Sequence, residues 1–165
     1  MKKLVIIRHA KSDQDDSSMD DFDRPLNSRG LNDAILMGKF LKEKTILPNF
    51  IISSPAKRAI TTAEIIGKEV KYEKIITPNQ YIYEAYVNTL QEIVGYIDDS
   101  NDVVFLVGHN PGVSALSYML SNIKESIPTC GTVEIDFNCD SWMDVSKSNS
   151  TLISYDFPEK IKIFK

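Results

Sequence analysis

Three runs of consecutive large apolar residues, Leu4-Val5-Ile6-Ile7, Phe50-Ile51-Ile52 and Val103-Val104-Phe105-Leu106-Val107, constrain this chain more than any other feature. None alternates with polar residues, so each is covered on both faces, as strands are inside a parallel sheet. Between them the apolar period changes to that of a helix. Leu31, Ala34, Ile35, Gly38 and Leu41 mark a first helix, with Asn27 or Ser28 as its cap. Ser54-Pro55 reads as the start of a second, Ser as cap and Pro at the first helical position, with Ala59, Ala63 and Ile66 on its buried face. A weak strand at 74–76 leads to a third helix through Leu90, Ile93, Val94 and Ile97, and a fourth runs through Val113, Leu116 and Leu120. The segments 131–137 and 151–157 read as strands without an intervening helix, hence as an antiparallel edge. The expected architecture is a three-layer α/β/α sandwich with a mostly parallel central sheet and an antiparallel edge, residues 1–165 forming a single domain.

Composition removes several function classes. A net charge of −4 lacks the basic surface of a nucleic-acid binder, so no nucleic-acid partner is expected. No run approaches the roughly 20 apolar residues that span a bilayer, and Leu4 to Ile7 is too short for a signal-peptide core. The expected setting is therefore cytoplasmic, without membrane attachment. Cys130 and Cys139 have neither the number nor the spacing of a disulfide scaffold or a cysteine metal site. The acidic segment with Asp13, Asp15, Asp16, Asp20, Asp21 and Asp23 places Met19 and Arg24 near where a calcium loop needs glycine and glutamate. It reads as a solvated loop over the crevice, with two functional versions: it screens out acidic partners, or one Asp supplies a proton.

The chain has two histidines, and each follows an apolar strand: His9 after Arg8, His109 after Gly108. The strand at 50–52 runs into Ser53-Ser54-Pro55, and Arg58 falls in the first turn of the helix beyond. In open α/β sheets ligands bind beyond the carboxyl ends of the strands. If these three strands are parallel neighbours, Arg8, His9, Arg58 and His109 share one crevice with a helix N-terminus. That is an anion site, and arginine's planar fork matches phosphate oxygens in particular. Phosphoryl transfer needs positioning and charge stabilisation, and a neutral imidazole can attack phosphorus and then release it to water. No metal-ligand spacing accompanies these residues, so neither a metal nor another cofactor is expected, the fixed cations standing in for the ion.

The stretch Leu4-Val5-Ile6-Ile7-Arg8-His9-Ala10-Lys11-Ser12 resembles the signature of the histidine phosphatase superfamily, the phosphoglycerate mutase-like fold, and within it the short SixA-type phosphohistidine phosphatases. The likeness continues through Asp23-Arg24-Pro25-Leu26-Asn27-Ser28-Arg29-Gly30, Ser53-Ser54-Pro55-Ala56-Lys57-Arg58-Ala59, Val107-Gly108-His109-Asn110-Pro111-Gly112 and Phe157-Pro158-Glu159-Lys160. It implies His9 as nucleophile, with Arg8, Arg58 and His109 completing the phosphate pocket. His9 has to be unprotonated on its attacking nitrogen, whereas His109 serves better protonated. Arg24 is either a further phosphate contact or a salt-bridge partner of the neighbouring aspartates. Larger relatives carry a glutamate that protonates the leaving oxygen, and Glu84 stands near that place. It is either this donor or a solvated helix-entry carboxylate. The segment also lacks the tryptophan that many relatives carry after the signature, Gln14 standing near that place.

Three functions follow as expectations. The first is removal of phosphate from phosphohistidine on a protein partner, because an imidazole can leave from phosphorus already carrying its proton. The second is hydrolysis of a small phosphate ester such as a sugar or nucleotide phosphate. The third is a phosphate-binding module without turnover, against which stand both histidines.

Overall fold

The computed structural model describes residues 1–14 and 18–164, so Asp15 and Asp16 of the acidic segment lie outside the described residues. Six strands form one sheet: β1 (Lys2–Arg8), β2 (Phe50–Ser53), β3 (Thr77–Pro78), β4 (Val103–Gly108), β5 (Thr132–Phe137) and β6 (Ser150–Asp156), in the order β3-β2-β4-β1-β5-β6. The first four are mutually parallel, while β5 runs antiparallel to both β1 and β6. This is the three-layer arrangement expected from the sequence, with its antiparallel edge in the tail.

Strand alternation divides the core between the two faces. Leu4 and Ile6 of β1, with Val104 and Leu106 of β4, pack against α3 (Val87–Gly95) and α4 (Gly112–Ser121). Val5 and Ile7, with Phe105 and Val107, face α1 (Ser28–Glu43), α2 (Lys57–Glu69) and α5 (Pro158–Ile163). All eight strand residues have no solvent exposure. Each such side chain contributes roughly 1.5–3 kcal/mol by leaving water, and this two-sided burial makes the strands read as unbroken apolar runs.

The structure departs from the sequence expectation in four places. In α1 the buried stripe is Gly30, Ala34, Met37, Gly38 and Leu41, whereas Leu31 and Ile35 are exposed. At ~100° per residue they fall on the flank of the stripe and not at its centre. The segment 74–76 is not a strand, since pairing with β2 begins only at Thr77 and Ile75 points to solvent. The second helix begins at Lys57 with Ala56 as cap, two residues later than Ser54-Pro55 suggests. Ser54 Oγ accepts from the Ala56 N–H and bonds His109, closing a turn ahead of the helix. Finally, the tail ends in α5, whose Ile161 sits on the α1 side of the core. Lys162 of α5 donates to Asp33, a buried carboxylate of α1 that also pairs with Arg29.

Two close approaches shape the crevice. A Cβ on Gly30 would stand 2.1 Å from the Lys11 carbonyl, and that carbonyl accepts from the Asn27 N–H. Only glycine allows the start of α1 to lie this near the segment leaving β1. Gly112, at the start of α4, is held as tightly, since its Cβ would meet the Ala85 carbonyl at 2.6 Å.

Candidate active site

Because β4 lies between β1 and β2, the three apolar strands end side by side. The register does the rest. Arg8 pairs with Gly108, so the next residues, His9 and His109, come to lie together with ring centroids 5.1 Å apart. Ser53 pairs with Val107, and the chain beyond it turns into α2, which carries Arg58 in its first turn. Thr62, one helical turn further on, accepts from the Ala10 N–H and donates to the Arg58 carbonyl. This buried hydroxyl ties the segment after His9 to the helix that carries Arg58.

These residues open into a cavity of ≈ 150 Å³ lined by Arg8, His9, Lys11, Ser12, Gln14, Arg24, Arg58, His109, Asn110 and Thr129. Among the described residues, none that lines it is a carboxylic acid. The structure thus gathers Arg8, His9, Arg58, His109 and Arg24 in one cavity. It does not bring Glu84 there: the residue is exposed, with a left-handed backbone (φ 56°), and its charge is felt by Tyr83.

The hydrogen bonds assign the His9 tautomer. Its Nδ1 lies 2.7 Å from the Ala10 carbonyl, which can only accept, so Nδ1 carries the proton. Nε2 then keeps its lone pair, and Arg58 Nε donates towards it at 3.4 Å. Burial lowers the His9 pKa to about 3, opposed by the Ala10 bond and assisted by His109, Arg58 and Arg8. His9 is therefore a neutral imidazole with an unprotonated Nε2.

His109 differs from the sequence expectation, because it too is neutral. Burial and the charges of Arg58, Arg8 and Arg24 bring its pKa to about 4, with Asp21 opposing them. Its Nε2 is 2.8 Å from Ser54 Oγ. That hydroxyl accepts from Ala56 and keeps a proton that Nε2 can accept, in the tautomer that carries the imidazole proton on Nδ1. His109 Nδ1 and Arg8 Nε are buried without a hydrogen-bond partner among the described residues. Each such donor carries a desolvation cost of about 1–3 kcal/mol, which an oxyanion accepting from it would offset.

Both imidazoles have folded-state pKa values below the ordinary 6.5, so the unfolded chain takes up protons first as the medium is acidified. Their stabilisation is complete above pH ~6.5 and declines as the pH falls towards the folded values. By pH 5 the loss is about 2 kcal/mol per histidine. Thermal unfolding at pH 7.5 and pH 5 should show the midpoint dropping by several degrees, with a smaller drop in the His9→Ala variant. An equal drop in both proteins would refute the assignment of His9 as a buried neutral base.

Sequence reasoning missed three features of the site. The Asp21 carboxylate accepts from Arg58 and Tyr83 as well as from Arg24, whose salt bridge with a neighbouring aspartate was one of its two expected roles, and the ring of Tyr83 stands edge-on to His109 at 5.4 Å. Ser54 acts on His109 and not as a helix cap. Thr129 reaches the cavity from the connection between α4 and β5, a segment with no motif to draw attention to it.

A parallel α/β sheet whose adjoining strand ends present two neutral imidazoles among arginines and buried orphan donors defines an anion-handling site of the phosphoryl-transfer kind. Residues 4–80 match the histidine phosphatase superfamily (branch 1). An uncharacterized Mycobacterium tuberculosis protein is 30% identical over 166 residues, covering 92% of this chain and 99% of that protein. The solved structure of the protein histidine phosphatase SixA complexed with tungstate has a TM-score of 0.82 at 20% identity, over 96% of this chain and 99% of that one. A mycobacterial glucosyl-3-phosphoglycerate phosphatase follows the same fold with a TM-score of 0.65 at 16% identity, over 93% of this chain and 97% of that one. The chain belongs to the histidine phosphatase superfamily and is a phosphatase of that superfamily.

Proposed function

We propose that the enzyme transfers a phosphoryl group from phosphohistidine on a protein partner to His9 Nε2 and then to water, without a metal ion. The observation that carries this reading is the tautomer of His9. The Ala10 carbonyl holds the ring proton on Nδ1, and the lone pair of Nε2 is presented in a cavity lined by Arg8, Arg24 and Arg58. In the first step Nε2 attacks phosphorus as the bond to the leaving nitrogen breaks. Arg8, Arg58, His109 and Arg24 stabilise the charge on the equatorial oxygens. Water then attacks the phosphorus, the P–N bond to His9 breaks, and inorganic phosphate leaves.

The choice of substrate rests on the proton. An alkoxide leaving group needs a general acid, and the described residues lining the cavity include no carboxylic acid. Burial works to raise the Asp21 pKa, but hydrogen bonds from Tyr83, Arg24 and Arg58 outweigh it and hold that carboxyl below the ordinary carboxylate range. Asp21 is thus ionised and has no proton to give. An imidazole leaving group can carry its own. The structural likeness to a glucosyl-3-phosphoglycerate phosphatase favours a second reading, hydrolysis of a small phosphate ester, for which Glu84 would have to move into the cavity to act as donor.

Phosphate release from a phosphohistidine-bearing protein in excess chelator tests the first reading, with Glu84→Gln beside the native enzyme. The expected outcome is rapid release that the substitution changes less than about threefold, since a real general acid would cost ~10²–10⁴-fold. No release from phosphohistidine, together with alkyl phosphate hydrolysis that collapses in Glu84→Gln, would transfer the assignment to the second.

A further inference from the structure

Among the described residues, Asp21 is the one carboxylate on which two of the cavity's cations, Arg24 and Arg58, converge. Its Oδ1 accepts from Nε and Nη2 of Arg24, at 3.0 and 2.7 Å, and its Oδ2 accepts from Nη2 of Arg58 at 3.0 Å and from the Tyr83 hydroxyl at 2.6 Å. A carboxylate has about four lone-pair sites, and all are taken. The Asp21 carbonyl also accepts from Arg58 Nη1 at 2.7 Å. Arg58 thus spends its outer edge on one residue and turns its Nε towards His9. Arg24 spends its outer edge on the same residue, and its Nη1 goes to Ser12 Oγ and the Asp13 carbonyl.

We infer that Asp21 is a positioning and specificity residue: an internal anion that holds both arginines for a single phosphoryl group and keeps out substrates with a second negative group beside it. Arginine forks left free next to a phosphate would bind a neighbouring carboxylate or second phosphate well. With Asp21 already in those forks, a second anion finds its donors occupied and a fixed negative charge close by, a repulsive element that selects against it. Phosphohistidine carries no such neighbouring group and meets no penalty. This inference rests on the phosphoryl group lying among Arg8, Arg58 and His109.

Two ligands of similar size separate the possibilities: 2-phosphoglycolate, with a carboxylate beside the phosphate ester, and 2-hydroxyethyl phosphate, with a neutral hydroxyl there. Calorimetric titration of the native enzyme should show 2-hydroxyethyl phosphate binding about tenfold or more tightly than 2-phosphoglycolate. In Asp21→Asn that preference should vanish or reverse, and Asp21→Ser should behave alike. The side chain is 49% exposed on a surface turn, so neither substitution empties the core. Tyr83→Phe removes one of the four bonds but leaves the charge, and should keep the native preference. The same ratio in native and Asp21→Asn proteins would overturn the inference while leaving the phosphate site intact. Failure of inorganic phosphate to bind the native enzyme would overturn the underlying reading, and the inference with it.

Discussion

Replacing His9 by alanine should lower phosphohistidine turnover by about 10⁴-fold or more, the scale on which removing a covalent nucleophile acts. The expectation follows from the atoms around the ring. The Ala10 carbonyl fixes the proton on Nδ1, and burial among cations keeps Nε2 unprotonated down to a pKa of about 3. From pH 8 to pH 5 the proposed nucleophile therefore stays neutral, and any loss of rate in that range belongs to another group. The proposed intermediate would have its own signature, because a phosphoramidate survives alkali and is destroyed by acid. Alkaline quenching during turnover of a radiolabelled substrate should leave label on the native enzyme and none on His9→Ala. Label retained by the variant, or turnover that survives the substitution, would rule out the covalent route.

Arg58→Ala is expected to be the next most damaging change, at about 10²–10³-fold in kcat/KM. Arg58 takes part in several functions at once. Its Nε faces the lone pair of His9, its guanidinium lines the cavity proposed to take the phosphoryl group, and its outer edge is anchored on Asp21. Lysine restores the charge but offers no planar fork, so Arg58→Lys should recover less than about tenfold of the loss. There is also a readout that a merely structural defect would not move. The charge of Arg58 helps to lower the pKa of both His9 and His109, so its removal should raise both values. The acid limb of the pH–rate profile then shifts to higher pH in Arg58→Ala and much less in Arg58→Lys. Identical limbs in the two variants would contradict the electrostatic part of this account.

The two faces of Ile6 and Ile7 show why so much of the fold was legible. An unbroken apolar run from Leu4 to Ile7 in β1 admits one environment, a sheet covered on both sides, and the structure supplies it with α4 on one face and α1 and α2 on the other. Leu31, Ile35 and Ile75 show the limit of the same reasoning. Periodicity identifies an element but not the width of its buried stripe, so an apolar residue on the flank is indistinguishable from one in the core. Ser54 shows a different limit. Its side chain suits a helix cap, but a hydroxyl can serve only so many partners, and here His109 and the Ala56 N–H claim it.

Strands, helices and the residue types at the strand ends are properties of short stretches of chain, and local patterning carried them: Arg8, His9, Arg58 and His109 stood out because each follows a recognisable element. Which of these ends adjoin was settled by strand order, since β4 enters between β1 and β2 only when the sheet assembles. The neutral state of His109, the exclusion of Glu84 from the cavity and the grip of Asp21 on Arg24, Arg58 and Tyr83 all depend on the assembled sheet. Asp21 and Tyr83 lie 62 residues apart in the chain, and Asp21 and Arg58 lie 37 apart. A hydrogen bond forms over about 3 Å and a charge acts through its surroundings, so protonation and donor sharing answer to distance in space, which no local pattern records.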